Sequence, residues 1–113
     1  MSSINAAILN IRLRYLDMYV EKRNKNALIY KNILDSKKIK FQKVFSDNVS
    51  SNWLVTIIID GDYSVKKLMK TLSNAGIDTR PIFYPIHKMP PYLSEEELPI
   101  SEFLSNSGLS LPS

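Results

Sequence analysis

Apolar residues in the first third of the chain recur at helical intervals. Ile4, Ala7, Ile8, Ile11, Tyr15 and Met18 form one stripe, and Leu9, Leu13, Leu16 and Val20 form a second. Spacings of three and four residues align each set along one side of a helix, so the pattern predicts a long helix from Ser2 to about Leu34, broken near Asn24 and Asn26. A surface helix normally carries a single apolar face roughly 100° wide. Two stripes are more than one small sheet covers. The second stripe either meets a partner outside this chain or is buried between the sheet and the chain's own C-terminal segment, and the pattern alone does not choose.

The middle of the chain changes period. Lys40 to Phe45 interleaves lysines with Phe41, Val44 and Phe45, which reads as a short edge strand whose charges discourage pairing with other chains. Asp47 to Asn52 is a polar loop. Trp53 to Ile59, WLVTIII, is β-branched and nearly continuous in apolar character, the signature of a central strand. Asp60, Gly61 and Asp62 make a turn, and Ser64 is placed to cap a helix whose apolar positions are Val65, Leu68, Met69, Leu72 and Ala75. Gly76 follows where a left-handed residue ends such a helix, and a strand is expected from Ile77 to about Phe83. Five of the six prolines then fall between Pro81 and Pro99. A segment so rich in fixed φ angles, and this apolar, reads as a stiff, ordered loop. Glu95 to Glu97 opens a turn, Ile100, Phe103 and Leu104 mark a helix ending at Gly108, and Leu109 to Leu111 begins a strand that stops almost at once.

Composition narrows the classes. A chain of 113 residues with 44% hydrophobic content supports one modest core, so residues 1–113 are expected to form one domain. The net charge of +4 is scattered from Glu21 to Lys43 and from Lys66 to Lys70, which does not point to a nucleic-acid face. There is no cysteine, which excludes a disulfide framework and a thiolate site and fits a reducing cytoplasm. The N-terminal stripe is interrupted by Asn5, Asn10, Arg12 and Arg14, so neither a signal peptide nor a membrane span is expected. With one histidine and no paired acidic residues inside a helix beyond the Glu95–Glu97 run, a metal site lacks ligands. Three isolated glycines exclude a phosphate-binding glycine loop, and no nucleophile elbow accompanies His87.

What chemistry remains lies in residues 76–92, GIDTRPIFYPIHKMPPY. Arg80, Tyr84, His87 and Lys88 bring a guanidinium, a phenol, an imidazole and an ammonium close together at the end of a strand and into a proline-held loop. Such donors suit an anionic or hydroxyl-rich ligand such as a sugar phosphate, because a guanidinium grips phosphate with two parallel hydrogen bonds. The same four also have ordinary structural uses: a surface ion pair, a packed ring, a turn cap and a solvated ammonium. Composition by itself favours those.

The run GIDTRPIFYPIHKMPPY, with PISEFLSNSGLSLPS downstream and MSSINAAILNIRLRYLDMYVEKRNKNALIY upstream, resembles the C-terminal third of the DegT/StrS-type sugar-nucleotide aminotransferases, and within them the perosamine synthetase branch. The resemblance spans essentially the whole chain, in the family's order and spacing. It implies an α+β fold, the small C-terminal domain of fold-type I aminotransferases, with a long N-terminal helix and a mainly antiparallel sheet with helices packed on it. It also implies a parent enzyme that uses pyridoxal phosphate to move an amino group from glutamate to a GDP-linked 4-keto-6-deoxymannose, a precursor of surface polysaccharide. By the same resemblance the cofactor-binding residues and the catalytic lysine belong to a large domain upstream of Met1, and the family continues past the SLPS segment to a final helix. The chain is therefore expected to be truncated at both ends relative to the family, to bind no pyridoxal phosphate by itself and to be inactive alone. Arg80, Tyr84, His87 and Lys88 match the family segment that faces the sugar-nucleotide pocket. The further implied partners are the missing large domain and a second subunit of a homodimer, while the doubly apolar helix would lie against the large domain. A free-standing α+β binding or oligomerisation module is the alternative.

Overall fold

A computed structural model describes residues 2–113; Met1 lies outside them. Among the described residues the order is α1 (Ser3–Leu13), α2 (Leu16–Ile33), β1 (Ile39–Phe41), β2 (Val55–Ile59), α3 (Val65–Asn74), β3 (Arg80–Pro81), two single-turn 3-10 helices (Ile86–Lys88 and Pro90–Tyr92), α4 (Pro99–Ser107) and β4 (Gly108–Leu111). The strands form one sheet in the order β1-β2-β4-β3, with each neighbouring pair antiparallel. This is the expected α+β class.

The long N-terminal helix is interrupted, but not where Asn24 and Asn26 suggested. The break falls at Arg14–Tyr15, where Arg14 N donates to Ile11 O and Tyr15 N to Arg12 O, tightening the turn to a three-residue repeat. Asn24 stays helical because its side chain is occupied elsewhere: its Oδ1 accepts from Asn52 Nδ2 at 2.6 Å instead of competing for the helix backbone. Asn52 itself has a φ of 44°, a left-handed conformation that asparagine tolerates better than most residues. The polar loop before β2 is thereby fastened to α2.

Val55, Ile57 and Ile59 of β2 face one side of the sheet together with Leu109 and Leu111 of β4. Ala27 of α2 and Val65 of α3 close over them, and Tyr30, Leu34, Leu68, Met69 and Leu72 pack against the rim. Ser64 caps α3 by accepting from Lys67 N, and Gly76 adopts a φ of 77°, so both ends of this helix are as its sequence indicates. The other sheet face carries Thr56, Ile58, Gly108, Ser110 and Arg80, since residues directly opposite in an antiparallel pair share a face.

Three strands differ from the expectation. Pairing of β1 ends at Phe41, leaving Val44 and Phe45 exposed. The predicted Ile77–Phe83 strand contracts to Arg80–Pro81 at the sheet edge, because a proline offers no N–H to a ladder and is tolerated only at an edge. The C-terminal strand, which the sequence presents as barely started, is instead an interior strand buried along its whole length, and Leu109 is 0% exposed. Gly108 opens it with φ near −110°, so it supplies space and not an unusual backbone angle. A Cβ at this position would collide with the Ile82 side chain and come within 2.8 Å of Ile58 Cδ1.

Candidate functional site

The segment from β3 to α4 distributes the four candidate residues over two places. Arg80 stands on edge strand β3 opposite Ser110, which in turn stands opposite Thr56, giving one polar row across the sheet. Ser110 is buried, and its Oγ lies 3.3 Å from Thr56 Oγ1. Arg80 lines a cleft of ≈ 310 Å³ together with Arg23 from α2, Trp53, Asp78 and Ser110. Among the described residues no carboxylate lies within 4.0 Å of either guanidinium, since the ion pairs present use Lys25, Lys40, His87 and Lys88. Tyr84 is exposed beyond the strand.

His87 and Lys88 belong to a different cluster. Pro85 stops regular structure, and the chain then turns twice in 3-10 fashion, with Lys88 N donating to Pro85 O at 3.1 Å, Met89 N to Ile86 O at 2.9 Å and Tyr92 N to Met89 O at 2.9 Å. This winding turns the His87 ring inward, where it is only 8% exposed. His87 Nε2 lies 3.1 Å from Glu102 Oε1, and Lys88 Nζ lies 3.1 Å from the same oxygen. An ionised carboxylate only accepts, so His87 Nε2 carries the proton in this pair. The two donors, His87 before Lys88, hold the Glu102 carboxyl below its usual range. Ser94 N donates to His87 O at 3.1 Å, which fixes the far end of the loop. The proline segment is thus an ordered clamp on the first turn of α4, as its composition suggested. Its histidine is committed to that clamp.

Two participants escaped the sequence reading. Arg23 looks like one of many scattered basic residues; the signal for it is its spacing of four from Ala27, on the side of α2 that turns to the sheet. Glu102 falls just past the Glu95–Glu97 run, and the signal is an acid in the first turn of a helix opened by a proline.

The remaining functional surface is apolar. None of the residues of α1 is buried, and Ile4, Ile8 and Ile11 are all exposed. On α2 the inward position is occupied by small Ala27, while Leu28, Ile29 and Ile33 face outward, Ile33 being 73% exposed. A compact chain of this length has a radius of gyration of about 13 Å, whereas this one has 17.2 Å. Neither stripe of α1 is covered by the chain's own sheet or C-terminal segment. All eleven lysines are exposed, and among the described residues no group of acidic or histidine side chains is arranged to hold a metal ion. No helix among them is long and apolar enough to cross a membrane.

Comparison with known proteins is uniform. The pattern that defines the DegT/DnrJ/EryC1/StrS aminotransferase family matches residues 1–113. The chain is 34% identical over 118 aligned residues to a GDP-perosamine synthase of Vibrio cholerae and 33% identical over 114 to one of Escherichia coli O157:H7. Both alignments take in 100% of this chain but only 32% and 31% of those proteins, so the chain spans about a third of the relatives it matches. Among solved structures, a DegT DnrJ EryC1 StrS aminotransferase from Brucella abortus superposes with a TM-score of 0.84 at 26% identity, over 99% of this chain and 30% of that one.

Proposed function

Because the chain belongs to the DegT/DnrJ/EryC1/StrS aminotransferase family, we propose that residues 1–113 form the small, substrate-closing C-terminal domain of a GDP-perosamine-synthase-like enzyme. The parent enzyme moves an amino group from glutamate to a nucleotide-linked keto-deoxy sugar, in the cytoplasm and as a homodimer, for surface polysaccharide. The observation that carries this reading is the alignment of the entire chain with one third of two GDP-perosamine synthases. The uncovered apolar faces of α1 and α2 support it, because they are what a domain presents when it is shaped against a larger one.

Pyridoxal phosphate, which the family implies, supplies an electron sink when bound in such an enzyme. The residues of this chain do not fit it. Schiff-base lysines are desolvated or set beside another cation to lower their pKa, and every lysine here is exposed. Under this proposal the cofactor and its lysine belong to the large domain, and this chain alone does not transaminate. Its own contribution is on the sugar-nucleotide side, where Arg80, Tyr84, His87 and Lys88 are assigned. Their settings divide the work. Arg80 and Tyr84 present free donors, while His87 and Lys88 share Glu102 and hold the loop that follows Tyr84.

Joining this chain to the coding region upstream of it provides the test. The purified product is expected to show a pyridoxal-type absorption band that disappears on adding glutamate, and to aminate GDP-4-keto-6-deoxymannose. Arg80→Ala in that protein is expected to lower kcat/KM for the sugar nucleotide about tenfold or more, the worth of a hydrogen bond to a charged group, with the cofactor band unchanged. A joined protein without the band would leave a non-catalytic binding or oligomerisation module as the better account.

A further inference from the structure

His87 is the chain's single histidine, and its Nε2 is taken by Glu102 Oε1 at 3.1 Å. Its backbone is held as well, since Ser94 N donates to His87 O at 3.1 Å and Lys88 N donates to Pro85 O across the same 3-10 turn. The other ring nitrogen, Nδ1, makes no hydrogen bond among the described residues. It is not sealed in, because no side-chain nitrogen or oxygen among them is both buried and unpartnered. The nearly buried ring therefore offers one unpaired polar atom to the outside. Closing the loop onto α4 needs no imidazole. Lys88 Nζ already pairs with Glu102 Oε1 at 3.1 Å, and burying a polar ring costs free energy that an apolar side chain of similar size does not. What the histidine adds is a second nitrogen whose state is set by the first: an imidazole bonded to a carboxylate through one N–H keeps its proton there, and the opposite nitrogen keeps its lone pair.

We propose that Glu102 is a positioning residue: it locks His87 in the Nε2–H tautomer and so presents Nδ1 as a neutral hydrogen-bond acceptor toward the molecule bound at this loop. A carboxylate behind an imidazole fixes the ring's orientation and also strengthens the opposite nitrogen as an acceptor. The inference rests on the assignment of His87 to the ligand side made above. It adds which nitrogen serves, in which state, and what holds it there. Lys88 takes part in the lock. Its ammonium can only donate, so it and Nε2–H converge on one oxygen, which is possible only while residue 102 offers an acceptor to both.

With one histidine in the chain, nitrogen NMR of the isotopically labelled 113-residue protein reads its two ring nitrogens without ambiguity. At a pH where the ring is neutral, Nε2 is expected to carry the proton and Nδ1 to be bare. Glu102→Gln is expected to reverse this: Lys88 takes the amide oxygen, the amide NH₂ donates to Nε2, and the proton moves to Nδ1, as when an amide replaces the carboxylate of a serine-protease triad. Lys88→Met in that background frees the amide oxygen and is expected to return the proton to Nε2. Mixed tautomers in the parent chain, a result that needs no variant to fold, or a ring indifferent to Glu102→Gln would overturn the lock. In the protein joined to its upstream region, Glu102→Gln is expected to lower kcat/KM for the sugar nucleotide about tenfold, the loss of one hydrogen bond, with the cofactor band unchanged. An unaltered kcat/KM would overturn the acceptor role of Nδ1. The tautomer is measured without cofactor or substrate, so failure there leaves the aminotransferase reading standing, whereas a joined parent protein without the band defeats that reading and leaves the lock in place.

Discussion

Gly108→Ala adds one methyl group at the start of the most buried strand, and the sign of its effect is decided by the packing around it. The backbone there has φ near −110° and ψ near 152°, extended values that alanine adopts freely. Were the site roomy, alanine would stabilise the chain by about 0.4–1 kcal/mol, through the reduced freedom of its unfolded state. It is not roomy. The new Cβ stands 2.8 Å from both Ile58 Cδ1 and Ile82 Cγ1, and closer still to Ile82 Cδ1. Carbon atoms prefer about 3.5–4.0 Å, so the end of the Ile82 side chain must move by about 1.6 Å or more while Pro81 restricts the backbone beside it. Overpacking of this kind costs about 1–3 kcal/mol. Net destabilisation of about 1–2 kcal/mol follows, or on the order of 4–8 °C in Tm per kcal/mol for a chain near this size. Thermal and urea unfolding followed by circular dichroism measure it. In the double variant Gly108→Ala with Ile82→Ala, the two changes are expected to couple favourably by about 1 kcal/mol, because the second removes the obstruction. An alanine variant more stable than the parent chain would refute the packing argument outright.

Leu109→Ala, at the chain's fully buried leucine, is expected to cost about 2–5 kcal/mol in the same unfolding assay. Glu102 titrates below its ordinary value of 4.5 because His87 and then Lys88 donate to it; a carboxyl depressed by folding contributes stability that is fully present above that value and is lost as the pH falls through the lower folded one. Relative to amides of β2, the Ser94 amide bonded to His87 O is therefore expected to lose protection as the pH falls through that window, and Glu102→Gln is expected to speed its exchange several-fold at neutral pH. Ile8→Lys with Ile11→Lys on α1 is expected to change stability by less than about 0.5 kcal/mol, since neither side chain is buried. A large loss of Tm there would mean that the chain covers this face itself.

Sequence alone determined the local structure wherever one segment held all the necessary information. The Ser64 cap, the apolar face of α3 and Gly76 define that helix from within. The unbroken β-branched run makes β2 central, and the two stripes of α1 announce a surface that one small sheet does not cover. The whole-chain likeness to the aminotransferase family was also legible, because it rests on linear order and spacing. Tertiary structure decided everything that depends on which segment becomes a neighbour. β4 is four residues long and carries too little pattern to declare itself interior, and only insertion between β2 and β3 buries it. Arg23 and Arg80 line one cleft although they lie on elements far apart in the chain, α2 and β3. His87 left the group of exposed donors because the 3-10 turns wind it inward onto Glu102, whose place on α4 no spacing within the loop encodes. Periodicity records how a segment relates to its own axis, whereas a site between segments exists only after the chain has closed on itself.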